Sequence, residues 1–190
     1  MGTVLLLTAF AVLSSPEVLL AVAAAIVLHE AGHWLALRCM GCGVSMPRLT
    51  ALGLEMRPRG PLSYGRELLA LLAGPLANGL FFVLLGLLGR RWEEAYLFAG
   101  AQLVLGVFNL LPLTALDGGR LLWIGIAWVT DPFLADRVCR VATLVLLMAL
   151  AALGIILWLR HRAGFLLLGT AGVVCCTVRE FALANPVGTG

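Results

Sequence analysis

The sequence predicts an all-α polytopic membrane protein of about six transmembrane helices, and three observations carry that prediction. Of its 190 residues 62% are hydrophobic and only 12% charged, where a soluble domain averages about 25% charged. The apolar residues gather in runs near membrane length, separated by short polar breaks, and the mean hydropathy is +1.04. The basic residues are all arginine, and they crowd onto alternate breaks, which is how a chain sets its orientation in a bilayer. The chain reads as a single membrane domain over residues 1–190, with no internal repeat and no partner role for nucleic acid.

Taken in order, the first run, Thr3–Leu13, is short for a bilayer that needs about 20 residues, and Ser14-Ser15-Pro16-Glu17 ends it. No basic region opens it, so it reads as a retained span and not a secretory signal. The second run, Val18–Leu37, and the third, Glu67–Leu88, have full membrane length. Between them Leu52, Leu54 and Met56 alternate with Gly53, Glu55 and Arg57, the period of a half-buried strand. That predicts a short β-hairpin or strand on the cytoplasmic side. The fourth run, Ala95–Leu111, meets Pro112 and then Asp117-Gly118-Gly119. The fifth, Val141–Leu159, and the sixth, Gly164–Val178, are joined by the polar turn Arg160-His161-Arg162. This order puts 38–66 and 117–140 on the side of both termini, together with most of the arginines. Only Arg90, Arg91, Arg160 and Arg162 lie opposite, so the arginine-rich face is expected to be cytoplasmic. Cys39 and Cys42 form an isolated C-x-x-C, read as ordinary reduced thiols.

The second run carries ionisable groups that packing does not explain. His29-Glu30-Ala31-Gly32-His33 interrupts a stretch that is otherwise almost pure hydrocarbon, and each charge at membrane depth costs on the order of 2.5–3.5 kcal/mol. On a helix, positions i and i+4 lie one above the other, so the two imidazoles face one point. Two imidazoles plus a carboxylate from elsewhere make the usual zinc site of a hydrolase, with Glu30 placed to take a proton from metal-activated water. The candidate third ligand is Asp117, where Pro112 breaks the helix and the double glycine permits unusual backbone. The plain alternatives are that Asp117 only caps the helix after it and that Asn78, Asn109 and Gln102 are interhelical hydrogen-bond glue.

The motif His29-Glu30-Ala31-Gly32-His33, then Ala73-Gly74-Pro75 with Asn78, then Asn109-Leu110-Leu111-Pro112 with Asp117-Gly118-Gly119, resembles the site-2 protease family of intramembrane zinc metalloproteases. Within that family the layout is most similar to the stage IV sporulation type, which processes a membrane-bound pro-sigma factor. The resemblance covers residues 18–120, and the spans over 141–178 follow it by hydropathy alone. It implies His29, His33 and Asp117 as ligands of one Zn2+ per chain, and Glu30 as the catalytic acid/base. It also implies Asn78 and Asn109 as donors to substrate backbone or oxyanion. Leu110 stands where the broader family has a proline, and no segment reads as a PDZ or CBS domain. The expected function is regulated intramembrane proteolysis of a membrane-spanning substrate, such as a pro-sigma or transcription factor precursor, in the bacterial cytoplasmic membrane. The termini and active site would face the cytoplasm, and the expected partners are the substrate, the bilayer and a membrane regulatory protein. The rivals from other classes are a catalytically silent membrane chaperone and a zinc transporter.

Overall fold

The computed structural model describes residues 15–44, 48–50, 53–55 and 58–161. The predicted first and sixth spans, and Leu52, Met56 and Arg57 of the predicted strand, lie outside the described residues. The elements are α1 (Pro16–Cys39), β1 (Arg48–Thr50), β2 (Gly53–Glu55), α2 (Tyr64–Leu88), α3 (Glu94–Asn109), α4 (Asp117–Val129) and α5 (Pro132–His161). Among the described residues three helices are long and apolar enough to cross a membrane: α1, α2 and the Pro132–Ile156 part of α5. The 24 residues of α1 and 25 of α2 reach about 36–38 Å at 1.5 Å per residue, more than the roughly 30 Å of bilayer hydrocarbon.

The residues are distributed the opposite way from a soluble bundle. Leu20, Val27, Leu76, Leu80, Val104 and Met148 are each more than half exposed. The helices meet instead through Ala21, Ala25, Ala70, Ala95 and Ala99, with His29, Asn78, Gln102 and Thr143 buried among them. In water that surface would aggregate; in lipid, small residues at the contacts and large apolar ones outside are the stable arrangement. Helices α1, α2 and α3 pack on one another, while α4 packs on α5 and touches α2.

Local chemistry sets the helix ends. Ser15 Oγ accepts from the Val18 N–H at 3.4 Å, with Pro16 in the first turn of α1. At the other end Gly41 takes φ 73°. The Cys42 N–H reaches back to the Leu37 carbonyl and the Gly41 N–H to the Arg38 carbonyl, both at 2.9 Å. That is a Schellman cap, so Cys42 of the C-x-x-C closes the helix; Cys39 and Cys42 are both free thiols. Beyond it β1 pairs antiparallel with β2 in the register Arg48↔Glu55, Leu49↔Leu54, Thr50↔Gly53, and Val44 bridges Pro58.

The region after α2 departs from the single run predicted over Ala95–Leu111. Helix α3 ends at Asn109 and a separate helix, α4, follows within the segment expected to be a loop. Along α2, Tyr96 at the start of α3 lies against Gly89, and Gly106 near its end lies against Asn78. Arg120 of α4 bonds Glu67, and Trp128 lies against Gly65. Thus α3 runs antiparallel to α2 from Gly89 to the level of Asn78, and α4 lies beside the first turn of α2. The 16 residues of α3 cover only about 24 Å. Helix α5 starts well before the predicted Val141: Asp131 Oδ1 accepts from the Leu134 N–H at 2.9 Å and Pro132 occupies the first turn. It also continues through Arg160 and His161, which were predicted as a turn.

Candidate metal centre

His29 and His33 stand one turn apart on α1, their ring centroids 4.7 Å apart and the rings nearly perpendicular at 84°. Their Nε2 atoms approach to 3.1 Å. Asp117, from the first turn of α4, places Oδ2 3.0 Å from His29 Nε2 and 3.2 Å from His33 Nε2. Among the described residues these three form the group of side chains able to share a metal ion. Roughly 9–15 Å of helix separates them from the end of α1, at 1.5 Å per residue.

Hydrogen bonding on the far side of each ring says what the near side offers. His33 Nδ1 lies 2.8 Å from the Ala70 carbonyl. A carbonyl only accepts, so Nδ1 carries the hydrogen, and in the neutral ring Nε2 is left with a bare lone pair. His29 Nδ1 lies 2.6 Å from Asn78 Oδ1, the same arrangement with a side-chain acceptor. With both rings neutral, two lone pairs and a carboxylate oxygen point at one another in a mostly buried space, an arrangement that calls for a proton or a metal ion between them. Zinc–nitrogen bonds of about 2.0–2.1 Å in a tetrahedron put ligand atoms about 3.3 Å apart, close to the 3.0–3.2 Å found here. The donor set, two imidazoles and one carboxylate, suits zinc, and three protein ligands leave a fourth position open. The residues fit the ion.

Asp117 reaches this point because the chain folds back tightly. After Pro112 the loop turns inward, with Leu113 buried and the Thr114 N–H donating to Thr143 Oγ1 of α5 at 3.1 Å. A Cβ on Gly118 would strike the Leu110 carbonyl, and one on Gly119 the Leu113 carbonyl. The glycines are thus needed for close approach. The expectation of unusual backbone there is corrected: among the described glycines only Gly41 and Gly60 have positive φ. Nor is Asp117 the cap of α4, whose N-cap is Leu116 with no side-chain bond. Arg120, one turn on, donates to Glu67 of α2 at 2.7 Å and lies over the Trp123 ring, tying the start of α4 to α2.

The other residues singled out from sequence lie around this centre in different ways. Glu30 is half-buried beside it, about 100° around α1 from His29, and is not one of the three converging groups. Asn78 is fully buried behind His29, and its Nδ2 donates to the Ala25 carbonyl at 3.2 Å and to Gln102 Oε1 at 2.6 Å. Its amide faces the histidine and the helix interior. Asn109 Nδ2 bonds the Leu105 carbonyl of its own helix at 3.1 Å, and it is not joined to the converging trio. Gln102, read from sequence as glue, turns out to be next to Asn78. The signal for it was its spacing: Ala95, Ala99, Gln102 and Gly106 fall on one helical face of small residues, the face that packs inward.

Residues 90–153 match Peptidase family M50. That segment holds α4 and Asp117, while His29 and His33 lie outside it and are joined to it only by the fold. No curated protein matches the chain in sequence. The structure is similar to the site-2 protease from Methanocaldococcus jannaschii, with a TM-score of 0.69 and 21% identity over 94% of this chain and 87% of that one. At that identity what is shared is the fold: this chain has the fold of a site-2 protease.

Proposed function

We propose that this chain is an intramembrane zinc metalloprotease that hydrolyses peptide bonds of membrane-embedded or membrane-tethered proteins near the cytoplasmic face. One observation carries the reading: two imidazole nitrogens and one carboxylate oxygen meet within 3.2 Å inside a bundle with an apolar outer surface. A metal held by three protein ligands with an open position is the hydrolytic type, not the structural one. When bound, zinc supplies Lewis acidity toward a peptide carbonyl and toward water. The chain's residues do the rest. His29, His33 and Asp117 hold the ion. Glu30 accepts the proton of the attacking water and hands it to the leaving amide nitrogen, returning to its starting state. The surrounding apolar helices keep bulk water out, so each of these charges acts strongly.

Asn78, whose amide is taken up by His29, Ala25 and Gln102, positions a ligand in this reading. Asn109, at the break between α3 and α4, is the residue left to donate to substrate backbone or oxyanion. A helical substrate must be unwound before attack, and the strand pair β1–β2 offers an edge on which it can lie extended. The arginines at the site end of the bundle, Arg38, Arg66 and Arg120, support a cytoplasmic orientation. The substrate class proposed is a membrane-tethered transcription or sigma factor precursor; a sporulation substrate rests on the short layout and the Asn109-Leu110-Leu111-Pro112 motif.

Co-expression with membrane-tethered substrates tests the reading, comparing the wild type with Glu30→Gln. The expected loss of cleavage is about 10²–10⁴-fold, with zinc still bound in purified protein. Equal processing by both proteins overturns the enzyme and leaves a binding protein on the same fold.

A further inference from the structure

We infer that Gln102 is a positioning residue for the zinc site: by holding the Asn78 amide in one orientation, it determines which nitrogen of His29 carries the hydrogen and keeps Nε2 bare for the metal. The inference rests on the metalloprotease reading and adds a residue to it.

The argument starts from a main-chain atom. The Ala25 carbonyl can only accept, so the Asn78 atom 3.2 Å from it is the NH2 group. The Asn78 oxygen must then face His29 Nδ1 at 2.6 Å, and Nδ1 must carry the hydrogen. Were the amide reversed, its oxygen would oppose the Ala25 carbonyl. Its NH2 would force the imidazole hydrogen onto Nε2, where it would point at His33 and Asp117 and block metal binding. Gln102 takes the second Asn78 N–H: its Oε1 lies 2.6 Å from Asn78 Nδ2. Two acceptors on one NH2 group leave it no other orientation.

Gln102 itself is held against its own interest. Its Nε2 is buried with no partner among the described residues, although buried polar atoms are usually paired. Reversing the Gln102 amide would bring two NH2 groups to 2.6 Å, so the bond to Asn78 decides the orientation. His29 is 4% exposed and Asn78 and Gln102 are 0% exposed, so water cannot stand in for either contact. Partners of this kind behind a metal-ligating histidine typically change metal affinity by 10–100-fold when mutated.

The test uses the purified full-length chain in lipid nanodiscs, with zinc affinity read by chelator competition. Gln102→Met keeps the shape and removes the acceptor; zinc affinity is expected to fall about 10-fold. Gln102→Glu keeps an acceptor oxygen toward Asn78 and is expected to bind zinc as the wild type does. A purely packing role predicts the reverse, with methionine tolerated. Nitrogen-15 histidine spectra of the metal-free protein should show the His29 hydrogen on Nδ1 in the wild type and on both nitrogens in Gln102→Met. Wild-type affinity in Gln102→Met, or equal weakening in both variants, overturns the inference. Should Gln102→Met fail to fold, the wild-type spectrum still decides, because a His29 hydrogen on Nε2 overturns it. His29→Ala separates the two claims: unchanged zinc affinity there defeats the metal site itself, whatever Gln102 does.

Discussion

Replacing Gly74 with alanine puts a methyl group where two imidazoles already stand. A Cβ built there lies 2.6 Å from His33 Cε1 and 2.8 Å from His29 Cε1, and nearer still to His33 Nε2. Comfortable carbon contacts begin at about 3.5 Å, so the rings must retreat by about 0.7–0.9 Å. They cannot simply rotate away, because each is held at Nδ1, His33 by the Ala70 carbonyl at 2.8 Å and His29 by Asn78 at 2.6 Å. Helix α1 must instead move off α2, and Gly32, seated against Ala73 and Ala77, shows how closely those helices are fitted. Overpacking of this kind costs about 1–3 kcal/mol, short of the roughly 5–15 kcal/mol that hold a domain folded. The metal geometry is less forgiving, since ligand distances hold to about ±0.2 Å and a misplacement of about 1 Å costs on the order of 10²-fold in rate. The expected Gly74→Ala protein is folded, inserted, poor in zinc and about 100-fold slower in cleavage. Zinc per purified chain and cleavage of a co-reconstituted substrate measure both effects. Gly79→Ala on the same helix is the control: nothing lies within 4 Å of its added Cβ, and it should retain zinc and activity. Full zinc and normal cleavage in Gly74→Ala would mean that the rings do not rest on the α2 backbone, and the reasoning would fail.

Other expected outcomes concern the carboxylate and the C-x-x-C. Asp117→Asn keeps the shape and removes the charge facing both histidines; zinc affinity should drop by at least 10-fold and cleavage should vanish. Chelator treatment of the wild type should give the same loss, restored by added zinc, and Asp117→Asn should not recover. Replacing Cys39 and Cys42 together with serine should leave zinc content and cleavage unchanged, because Cys42 serves the helix end through its main-chain N–H. Gly41→Ala, by contrast, forces a side chain into left-handed backbone at φ 73° and should lower stability by about 1–2 kcal/mol in thermal unfolding.

The parts of the site that were legible in the sequence are those whose geometry is local. His29 and His33 need only a helix to face one point, and the apolar run around them supplies it. Asp117 was legible as a carboxylate at a helix break, but not its path: 84 residues separate it from His33, and only the fold closes that distance. The predicted fourth run stopped at Leu111 because Asp117, Gly118, Gly119 and Arg120 lower the local hydropathy. Yet α4 is a 13-residue helix, too short to register as a span and apolar enough to pack against α2 and α5. The early start of α5 was written in Asp131-Pro132, a helix-opening pair that hydropathy alone passes over, because Asp136, Arg137 and Arg140 follow it. The alternation at Leu52–Met56 surrounds β2 (Gly53–Glu55), while β1, with Pro47 before it, gave no such signal. Asn78 was visible as a polar residue on a span, but whether it faces a substrate or a histidine depends on the direction of its side chain, which spacing does not reveal.

In a bilayer, the network that stabilises the bundle and the network that shapes the candidate metal site are the same set of atoms. Lipid offers no hydrogen bonds, so each buried polar group must find its partner inside the protein. Here the Ala70 carbonyl satisfies His33 and fixes its tautomer in one contact, and the Ala25 carbonyl does the same for His29 by way of Asn78. Both carbonyls belong to helices that approach closely only because their contacts are made by alanine and glycine. The small residues therefore act on chemistry without touching a substrate: they set the helix spacing at which main-chain acceptors reach the far side of each imidazole. A larger residue at Gly32 or Gly74 would lengthen those hydrogen bonds before it removed any ligand. Precision where His29, His33 and Asp117 converge thus comes from the backbone spacing, and the histidines inherit it.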